Sequence, residues 1–296
     1  MSVVVVGQVG RDLMLRTRGL PPSGGSVPID ERGEILGGKG ANQAVGLAQL
    51  GVPVSLVGVV GDDHAGEGVL RQAARDGIDT TGVARRGRTA LLVDLVDHPG
   101  SRRLLEDIPE QSLVTVDDLE RAGALLGRAD TVSIQLQQPP ATVLAAARAG
   151  RSRRACVVAD GAPDPGTRDE LLAAVDVLRT DATEARLIFG DPVTSVSDAL
   201  ALGRRLIEAG PRLLAVAVPG AGDLLVWRNG SHLLPLADVE VADPTGAGDA
   251  FTAGLIAGLH RGADFVSAGQ LASAAAAATV QHLGGRPDLR DLPGAA

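Results

Sequence analysis

Cysteine is nearly absent from this chain, in which Cys156 has no second thiol to pair with. An intrachain disulfide and a metal site built from several thiolates are therefore excluded. Cys156 lies within an apolar run at residues 155–159, where a free thiol usually packs as a small hydrophobic side chain. We therefore expect Cys156 in the core and no redox chemistry.

Aromatic side chains and positive charge are also scarce. The sequence has no tyrosine, one tryptophan and three phenylalanines, and its formal net charge is -8. Nucleic-acid binding proteins depend on basic surfaces and on aromatic rings that stack on bases. The composition therefore argues against a nucleic-acid partner and favours small molecules.

Long apolar segments are missing as well. The apolar run at residues 3–6 is far shorter than the roughly 18 residues of a membrane span, and no basic segment precedes it. We therefore expect no membrane partner and no signal peptide, and a cytoplasmic protein.

Lysine occurs once among the 28 basic residues, as Lys39 between two glycines. Arginine presents a planar fork, whereas lysine is a compact point charge. The choice of lysine here indicates a site that needs such a charge, as some phosphate contacts do, with chance placement as the weaker alternative.

The pattern of the chain predicts an α/β protein. Strands alternate with helices between residues 113 and 220, which is typical of a parallel sheet with helices on both faces. Strand-like pieces at about 11–36 and a hairpin at about 89–106 predict a separate lid or edge element. At 45% hydrophobic residues, the 296-residue chain can form one domain over residues 1–296.

A glycine-rich turn at residues 243–249 runs directly into an alanine-rich segment that is typical of a helix. Pro244 prevents a helix from passing through the turn, and Gly246 and Gly248 allow the backbone to approach a ligand closely. Such a helix start favours phosphate or developing negative charge. On position alone, Asp249 is either a carboxylate that stabilises the helix dipole or a general base.

A second glycine-rich turn, at residues 37–44, precedes a helix that ends at Gly51. Asn42 in its first turn either faces a ligand or hydrogen-bonds to the local backbone. Asp12 follows the first strand in the turn at 7–12, where it is either an ordinary turn residue or a ligand-binding carboxylate. The carboxyl ends of parallel strands form one edge of a sheet, so these turns are expected to meet there.

Together the two turns, GGKGANQA at 37–44 and DPTGAGDAF at 243–251, resemble the two signatures of the ribokinase (PfkB) family of sugar kinases. The resemblance covers the whole chain. It implies a three-layer α/β/α ribokinase-like fold with a central, mostly parallel sheet and a small β-sheet lid. It also implies ATP and Mg²⁺ as cofactors, possible activation by K⁺, and a homodimer formed through the lid.

The resemblance assigns catalytic roles to the turn at 243–251. Asp249 matches the base that takes the proton from the sugar hydroxyl, while the N–H groups of Gly246, Ala247 and Gly248 match an anion hole for the γ-phosphate. Carbonyl groups of Asp243 and Thr245 are implied ligands of a monovalent cation.

Binding roles follow from the same resemblance. The implied sugar-binding positions are Asp12, Gly38, Lys39, Asn42, Gln137 and Asp249. The implied nucleotide-binding positions are Asp181, Gly220, Gly222, Gly248 and Thr279. Glu184 matches the acid of the family's Asn-x-x-Glu motif, which organises Mg²⁺ and its waters near the phosphates.

Five features depart from the family pattern, one of them the segment at residues 109–111, which stands where ribokinases have Gly-Ala-Asn near the lid. Gly10 stands where ribokinases usually have Asn, and Gln137 stands where a Glu commonly contacts the sugar. Asp181 replaces the Asn of Asn-x-x-Glu, which keeps an oxygen ligand but adds charge. The loop at 217–222 has lost the threonine hydroxyl that could meet a phosphate oxygen.

The sequence thus predicts an ATP-dependent kinase acting on a primary hydroxyl of a small sugar, with ribose as the leading acceptor. A nucleoside, fructose or a keto-deoxy sugar acid are alternative acceptors. A non-catalytic sugar- or nucleotide-binding protein is the alternative outside the enzymes, suggested by the altered residues at 181 and 217–222.

Overall fold

The computed structural model describes residues 2–97, 102–190 and 192–292, which form two β-sheets flanked by helices. The strands are β1 Val3–Val6, β2 Gly10–Thr17, β3 Ile29–Gly37, β4 Val54–Val60, β5 Asp79–Arg85, β6 Ala90–Asp97, β7 Arg102–Asp107, β8 Thr131–Gln135, β9 Cys156–Asp160, β10 Val177–Thr180, β11 Leu213–Val218, β12 Gly222–Trp227 and β13 Gly230–Pro235. The helices are α1 Lys39–Gln49, α2 His64–Arg75, α3 Val116–Arg121, α4 Gly123–Leu126, α5 Pro140–Ser152, α6 Arg168–Ala174, α7 Ala182–Phe189, α8 Val196–Ala209, α9 Ala247–His260 and α10 Phe265–Thr279.

The large sheet has the strand order β13-β12-β11-β10-β9-β8-β1-β4-β5. From β5 to β11 every neighbouring pair is parallel, whereas β12 and β13 add an antiparallel edge. The four valines of β1 are all buried because the strand is central and covered on both faces. The prediction of a central, mostly parallel sheet is confirmed.

Helices cover both faces of this sheet and give two hydrophobic cores. Val4 and Val6 of β1 point into the core beneath α3 to α8, and Val3 and Val5 point into the core beneath α1, α2, α9 and α10. The alternation follows from the two-residue period of a strand. The molecule therefore has the three layers expected from the sequence.

The small sheet has the order β3-β2-β6-β7, with β2 and β6 parallel and the two outer pairs antiparallel. It contains the strands predicted at about 11–36 and 89–106; the turn predicted at residues 97–100 lies largely outside the described residues. Asp63, the N-cap of α2, accepts hydrogen bonds from Gly66 N at 2.8 Å and Thr89 N at 2.9 Å. This carboxylate therefore ties the start of β6 to the main body.

Two helical predictions need correction. The amphipathic pattern near residues 116–127 predicts one helix, but the structure divides it into α3 and α4 at Ala122, which is the C-cap of one and the N-cap of the other. The helix expected from residue 249 begins at Ala247, two residues earlier. In α9, a side-chain atom on Gly254 would lie 2.7 Å from the Cα of Ala272, so glycine allows α9 and α10 to pack closely.

Cys156 at the start of β9 is half-buried against the second core, and burial raises the pKa of its thiol to about 11. The thiol is therefore protonated at neutral pH, and Cys156 packs at the margin of the core and not fully inside it as expected. None of the helices described here is both long enough and apolar enough to cross a membrane.

Candidate active site

The candidate site lies at the carboxyl-terminal edge of the large sheet, where the two glycine-rich turns meet. Asp249, in the first turn of α9, is 6% exposed. Its Oδ2 accepts a hydrogen bond from Asn42 Nδ2 of α1 at 3.2 Å. Burial, reinforced by the nearby Asp160 carboxylate, raises the pKa of Asp249 to about 7, against the opposing effect of Lys39. A carboxylate with this pKa is suited to accept a proton near neutral pH.

The start of α9 offers unpaired backbone donors beside Asp249. Gly246 has φ +75, and a side-chain atom on it would lie 2.0 Å from the carbonyl oxygen of Gly285. Ala247 N lies 3.5 Å from the Pro244 carbonyl, whereas the N–H groups of Gly248 and Asp249 have no acceptor among the residues described. These free donors and the helix dipole form an anion-binding position.

Asp12 lies across the cleft from Asp249, near the start of β2. It is 3% exposed, and its Oδ1 has no hydrogen-bond partner in the described part of the chain. Burial, together with Asp94 and Asp249, raises the pKa of Asp12 to about 7. Asn42 Oδ1 is likewise buried without a partner. Unpaired buried oxygens are costly, so they indicate positions that ligand hydroxyl groups can satisfy.

Lys39 lies between the residues predicted to bind the sugar and those predicted to bind the nucleotide and its metal. Its Nζ lies 3.2 Å from Glu184 Oε1. Burial alone would lower the pKa of Lys39, but the carboxylates of Asp160, Glu184 and Asp249 raise it above its ordinary value. Lys39 therefore remains a cation at the position where the two halves of the site meet.

A cavity of about 540 Å³ opens on the other side of α9. Its walls are mainly apolar, with Val218, Leu236 and Val280 among the residues that line it. Four of the predicted nucleotide-binding residues also line it: Asp181, Gly220, Gly222 and Gly248. Thr279 does not; its hydroxyl is fully buried and donates to the Ala275 carbonyl. An apolar slot that ends at an anion-binding helix start has the form of a nucleotide site.

Comparison with known proteins identifies the family of the chain. A family profile described as "pfkB family carbohydrate kinase" matches residues 1–292. The chain belongs to this family of kinases. It is 32% identical over 290 residues to an ATP-dependent ribose-1-phosphate kinase of Halopiger xanaduensis, covering 97% of this chain and 94% of the relative.

Two ribokinases extend the comparison. The chain is 30% identical over 294 residues to a ribokinase of Bacillus subtilis, covering 96% of this chain and 94% of that one. Among solved structures, an Arabidopsis thaliana ribokinase complexed with ribose and ATP matches with a TM-score of 0.80 and 25% identity, covering 97% and 96% of the two chains. The ribokinase-like fold expected from the sequence is therefore confirmed.

In this kinase, the predicted metal-site residues also perform a structural task. Asp181 is the N-cap of α7 and accepts from Glu184 N at 2.7 Å, while Glu184 Oε2 accepts from Asp181 N at 2.9 Å. This reciprocal arrangement is a capping box. No group of three or more potential metal ligands occurs among the described residues. The oxygen donors present fit Mg²⁺ that takes most of its ligands from nucleotide phosphates and water.

The two residues implied for a monovalent cation lie in the turn that precedes α9. Asp243 is fully buried, and its Oδ1 accepts from Thr245 N at 2.9 Å and from Thr245 Oγ1 at 2.6 Å. Asp243 Oδ2 accepts from Gly284 N at 2.9 Å. The side chains therefore hold the turn in shape, which leaves their backbone carbonyls as the groups available to an ion.

Gln137 is exposed at the end of β8, and its Oε1 accepts from Gln135 Nε2 at 2.8 Å. Gln135 is fully buried, and its Oε1 accepts from Gln8 N at 2.9 Å. Gly38, the other predicted sugar-side residue, is the N-cap of α1 with φ 88. The Gly38 N–H donates to the Asp12 carboxylate, so Gly38 borders the cleft, whereas the contact seen for Gln137 is the one with Gln135.

Sequence reasoning missed three residues at the centre of the site: Gln43, Asp160 and Arg179. Gln43 Nε2 donates to Asp160 Oδ2 at 2.7 Å and lies 3.5 Å from Asp249 Oδ1. Asp160 ends β9 and Arg179 lies on β10, and their side chains form an ion pair of 3.3 Å. The sequence signal for Asp160 and Arg179 is a charged residue in a buried strand, and that for Gln43 is its position in the glycine-rich motif at 37–44.

Proposed function

We propose that this kinase transfers the γ-phosphoryl group of ATP to a primary hydroxyl of a small ribose-like sugar. The observation that carries the proposal is the position of Asp249. Its buried carboxylate lies between the unpaired oxygens of Asp12 and Asn42 on one side and the cavity at Gly248 on the other. A base at this boundary is within reach of both reactants.

Each residue has a defined task in the proposed reaction. Asp12 and Asn42 orient the sugar through its hydroxyl groups, and Asp249 accepts the proton of the attacking hydroxyl. That oxygen forms a bond to the γ-phosphorus while the bond from the γ-phosphorus to the bridging oxygen breaks, which releases ADP. The N–H groups of Gly248 and Asp249 stabilise the negative charge on the transferring group.

Mg²⁺ supplies charge neutralisation and alignment of the phosphates when it is bound with ATP, and Glu184 and Asp181 are the residues that would face it. Activation by K⁺ at the carbonyls of Asp243 and Thr245 is a further proposal. A homodimer formed through the lid is supported by its exposed apolar residues, among them Ile29 and Leu105 at 49% and 57% exposure.

The test of the base is Asp249→Asn, assayed by ADP release with ribose as acceptor. We expect kcat to fall by about 10³-fold, because a positioned base typically contributes between 10² and 10⁴. Binding of ATP, measured by calorimetry, should change little. The matched control is Asp291→Asn, which makes the same charge change at an exposed position. Near-normal turnover of Asp249→Asn would refute the assignment.

A second acceptor, ribose 1-phosphate, is supported by one specific observation. Arg102 on β7 forms an ion pair with the buried Asp94 of β6 and is close enough to Asp12 to oppose the rise in its pKa. If Asp12 binds the acceptor, the Arg102 guanidinium on the lid is a cation near it that a phosphate on the sugar would meet. The relative named as an ATP-dependent ribose-1-phosphate kinase gives independent support.

An acceptor panel separates these possibilities. Ribose, ribose 1-phosphate, fructose, adenosine and a keto-deoxy sugar acid are compared by kcat/KM for ADP release. The phosphorylated acceptor is favoured if the wild type prefers ribose 1-phosphate and Arg102→Met loses this preference while it still turns over free ribose. If no acceptor is turned over although ATP and sugars raise the melting temperature, the protein is a binder and the proposed kinase activity is wrong.

A further inference from the structure

Arg179 of β10 lies on the nucleotide side of the site and has no role in the reaction proposed above. The residue is 8% exposed, and it lines the 540 Å³ cavity together with Gly248. Arginine is rarely buried unless it is paired or binds a ligand. Its position on a central strand beneath the nucleotide cavity therefore requires an explanation.

The guanidinium group lies directly against the anion-binding start of α9. A side-chain atom on Gly248 would lie 2.6 Å from Arg179 Nη2, 2.7 Å from Nη1 and 2.8 Å from Cζ. Glycine at 248 thus leaves the room that the guanidinium occupies. Because Cα–Cβ bonds point toward the N-terminus of a helix, this room lies on the side of the free N–H groups of Gly248 and Asp249.

Arg179 keeps unused hydrogen-bonding capacity in this position. Nη1 donates to Asp160 Oδ1 at 3.3 Å, whereas Nε is buried without a partner in the described parts of the chain. A guanidinium carries five N–H donors. One long bond to Asp160 therefore leaves most of them available to an acceptor that the protein does not supply.

The surrounding charges hold the guanidinium in place without saturating it. The carboxylates of Asp160, Glu184, Asp223 and Asp249 all raise the pKa of Arg179, against the effect of burial. Asp160 also accepts from Gln43 Nε2 at 2.7 Å, so its negative charge is shared between two donors. Neutralising Asp160 is thus the competing explanation for Arg179, and the experiment has to separate the two roles.

We propose that Arg179 is a catalytic residue that contacts the terminal phosphate of the nucleotide from within the same chain. The inference rests on the proposed function, because it assigns the cavity at Gly248 to ATP. Arg179 neutralises charge on the γ-phosphoryl oxygens as the acceptor oxygen bonds to the γ-phosphorus and the bond to the β–γ bridging oxygen breaks. It acts at the same position as the N–H groups of α9 and transfers no proton.

The central experiment compares Arg179→Met, Arg179→Lys and the double variant Arg179→Met/Asp160→Asn. The double variant removes both charges of the pair, so it leaves no unpaired buried carboxylate at 160. Arg204→Met, at an exposed position of α8, is the matched control. Binding of a non-hydrolysable ATP analogue, ADP and AMP is measured by calorimetry with Mg²⁺, and kcat and KM are measured by ADP release.

We expect Arg179→Met to lower kcat roughly 100-fold, comparable to the loss of one donor from an anion hole. Affinity for the ATP analogue should fall at least tenfold in Arg179→Met and in the double variant, while affinity for AMP stays within twofold of wild type. Arg179→Lys should recover part of both losses, because it restores charge without the planar fork. Arg204→Met should behave as wild type.

A double variant with wild-type kcat and wild-type affinity for the ATP analogue would overturn the inference and leave Arg179 as the counter-ion of Asp160. Equal losses of affinity for the ATP analogue and for AMP would also overturn the inference. AMP has no γ-phosphate, so losing a contact to that phosphate should weaken binding of the ATP analogue alone. Absence of turnover in the wild type would refute the proposed function instead, and the binding measurements would still decide the role of Arg179.

Discussion

Replacing Asp12 with Asn should stabilise the free kinase at alkaline pH while weakening acceptor binding. Burial and the neighbouring carboxylates raise the pKa of Asp12 from 3.8 to about 7. A carboxyl whose folded-state pKa exceeds its unfolded value destabilises the fold when it is ionised. This cost is absent below about pH 4, grows between pH 4 and 7, and is fully present above pH 7.

The size of the effect follows from the same shift. From 3.8 to about 7, at 1.36 kcal/mol per pH unit, the cost of ionised Asp12 is about 4 kcal/mol. Asn retains part of this cost because its buried amide is also unpaired in the absence of ligand. We therefore expect the free energy of unfolding of Asp12→Asn to exceed that of wild type by roughly 2 kcal/mol at pH 8.

Urea unfolding of the ligand-free protein at pH 5 and pH 8 measures this difference. The advantage of Asp12→Asn should shrink as the pH falls, whereas the exposed control Asp291→Asn should show little change at either pH. In the kinase assay, the KM for the sugar should rise about 10- to 100-fold. This range corresponds to the free energy that a hydrogen bond to a charged group contributes to binding. A variant less stable than wild type at pH 8 would refute the reasoning.

Two further predictions concern the start of α9. The kcat/KM for the acceptor should fall about tenfold per pH unit below about pH 7, because Asp249 must be ionised to act as a base, and a flat profile between pH 5 and 8 would contradict this. Gly246→Ala should abolish most activity and lower the melting temperature, since its side chain would meet the carbonyl of Gly285. Gly262→Ala, also at positive φ (+80) but with no atom within 4 Å, should show only the small backbone cost of about 1–2 kcal/mol.

The layers of the fold could be predicted from the sequence because each helix or strand is indicated by residues within or next to it. The valines of β1 and the glycine turns before α1 and α9 each specify an element and its end. Parallel pairing brings the carboxyl end of β1 to one edge of the large sheet, where Asp12 follows it. Asn42 and Asp249 meet there because α1 packs against α9, which the pairing of the strands does not determine. The break at Ala122 was not predictable, because both halves of that segment share one apolar face.

The polar centre of the site could not be predicted, for a physical reason. Asp160 and Arg179 each look like an isolated charge in a buried strand, and only the adjacency of β9 and β10 makes them a pair. Thr279 shows the converse limit: the family resemblance assigned it to the nucleotide site, but its place on α10 directs its hydroxyl to the Ala275 carbonyl and not to the cavity. Side-chain direction depends on packing that the sequence pattern does not encode.

The charges of Arg179 and Asp181 bear on one departure from the family pattern, the replacement of Asn by Asp181. Asp181 adds a carboxylate at the rim of the nucleotide cavity, where the phosphates of ATP bring further negative charge. Arg179 lies two residues earlier, lines the same cavity and offers donors that Asp160 leaves unused. An added carboxylate close to the phosphates weakens nucleotide binding unless a cation offsets it. Asp181→Asn should therefore raise the affinity for the ATP analogue more in the Arg179→Met background than in the wild type, whereas an equal change in both backgrounds would show that the two residues act independently.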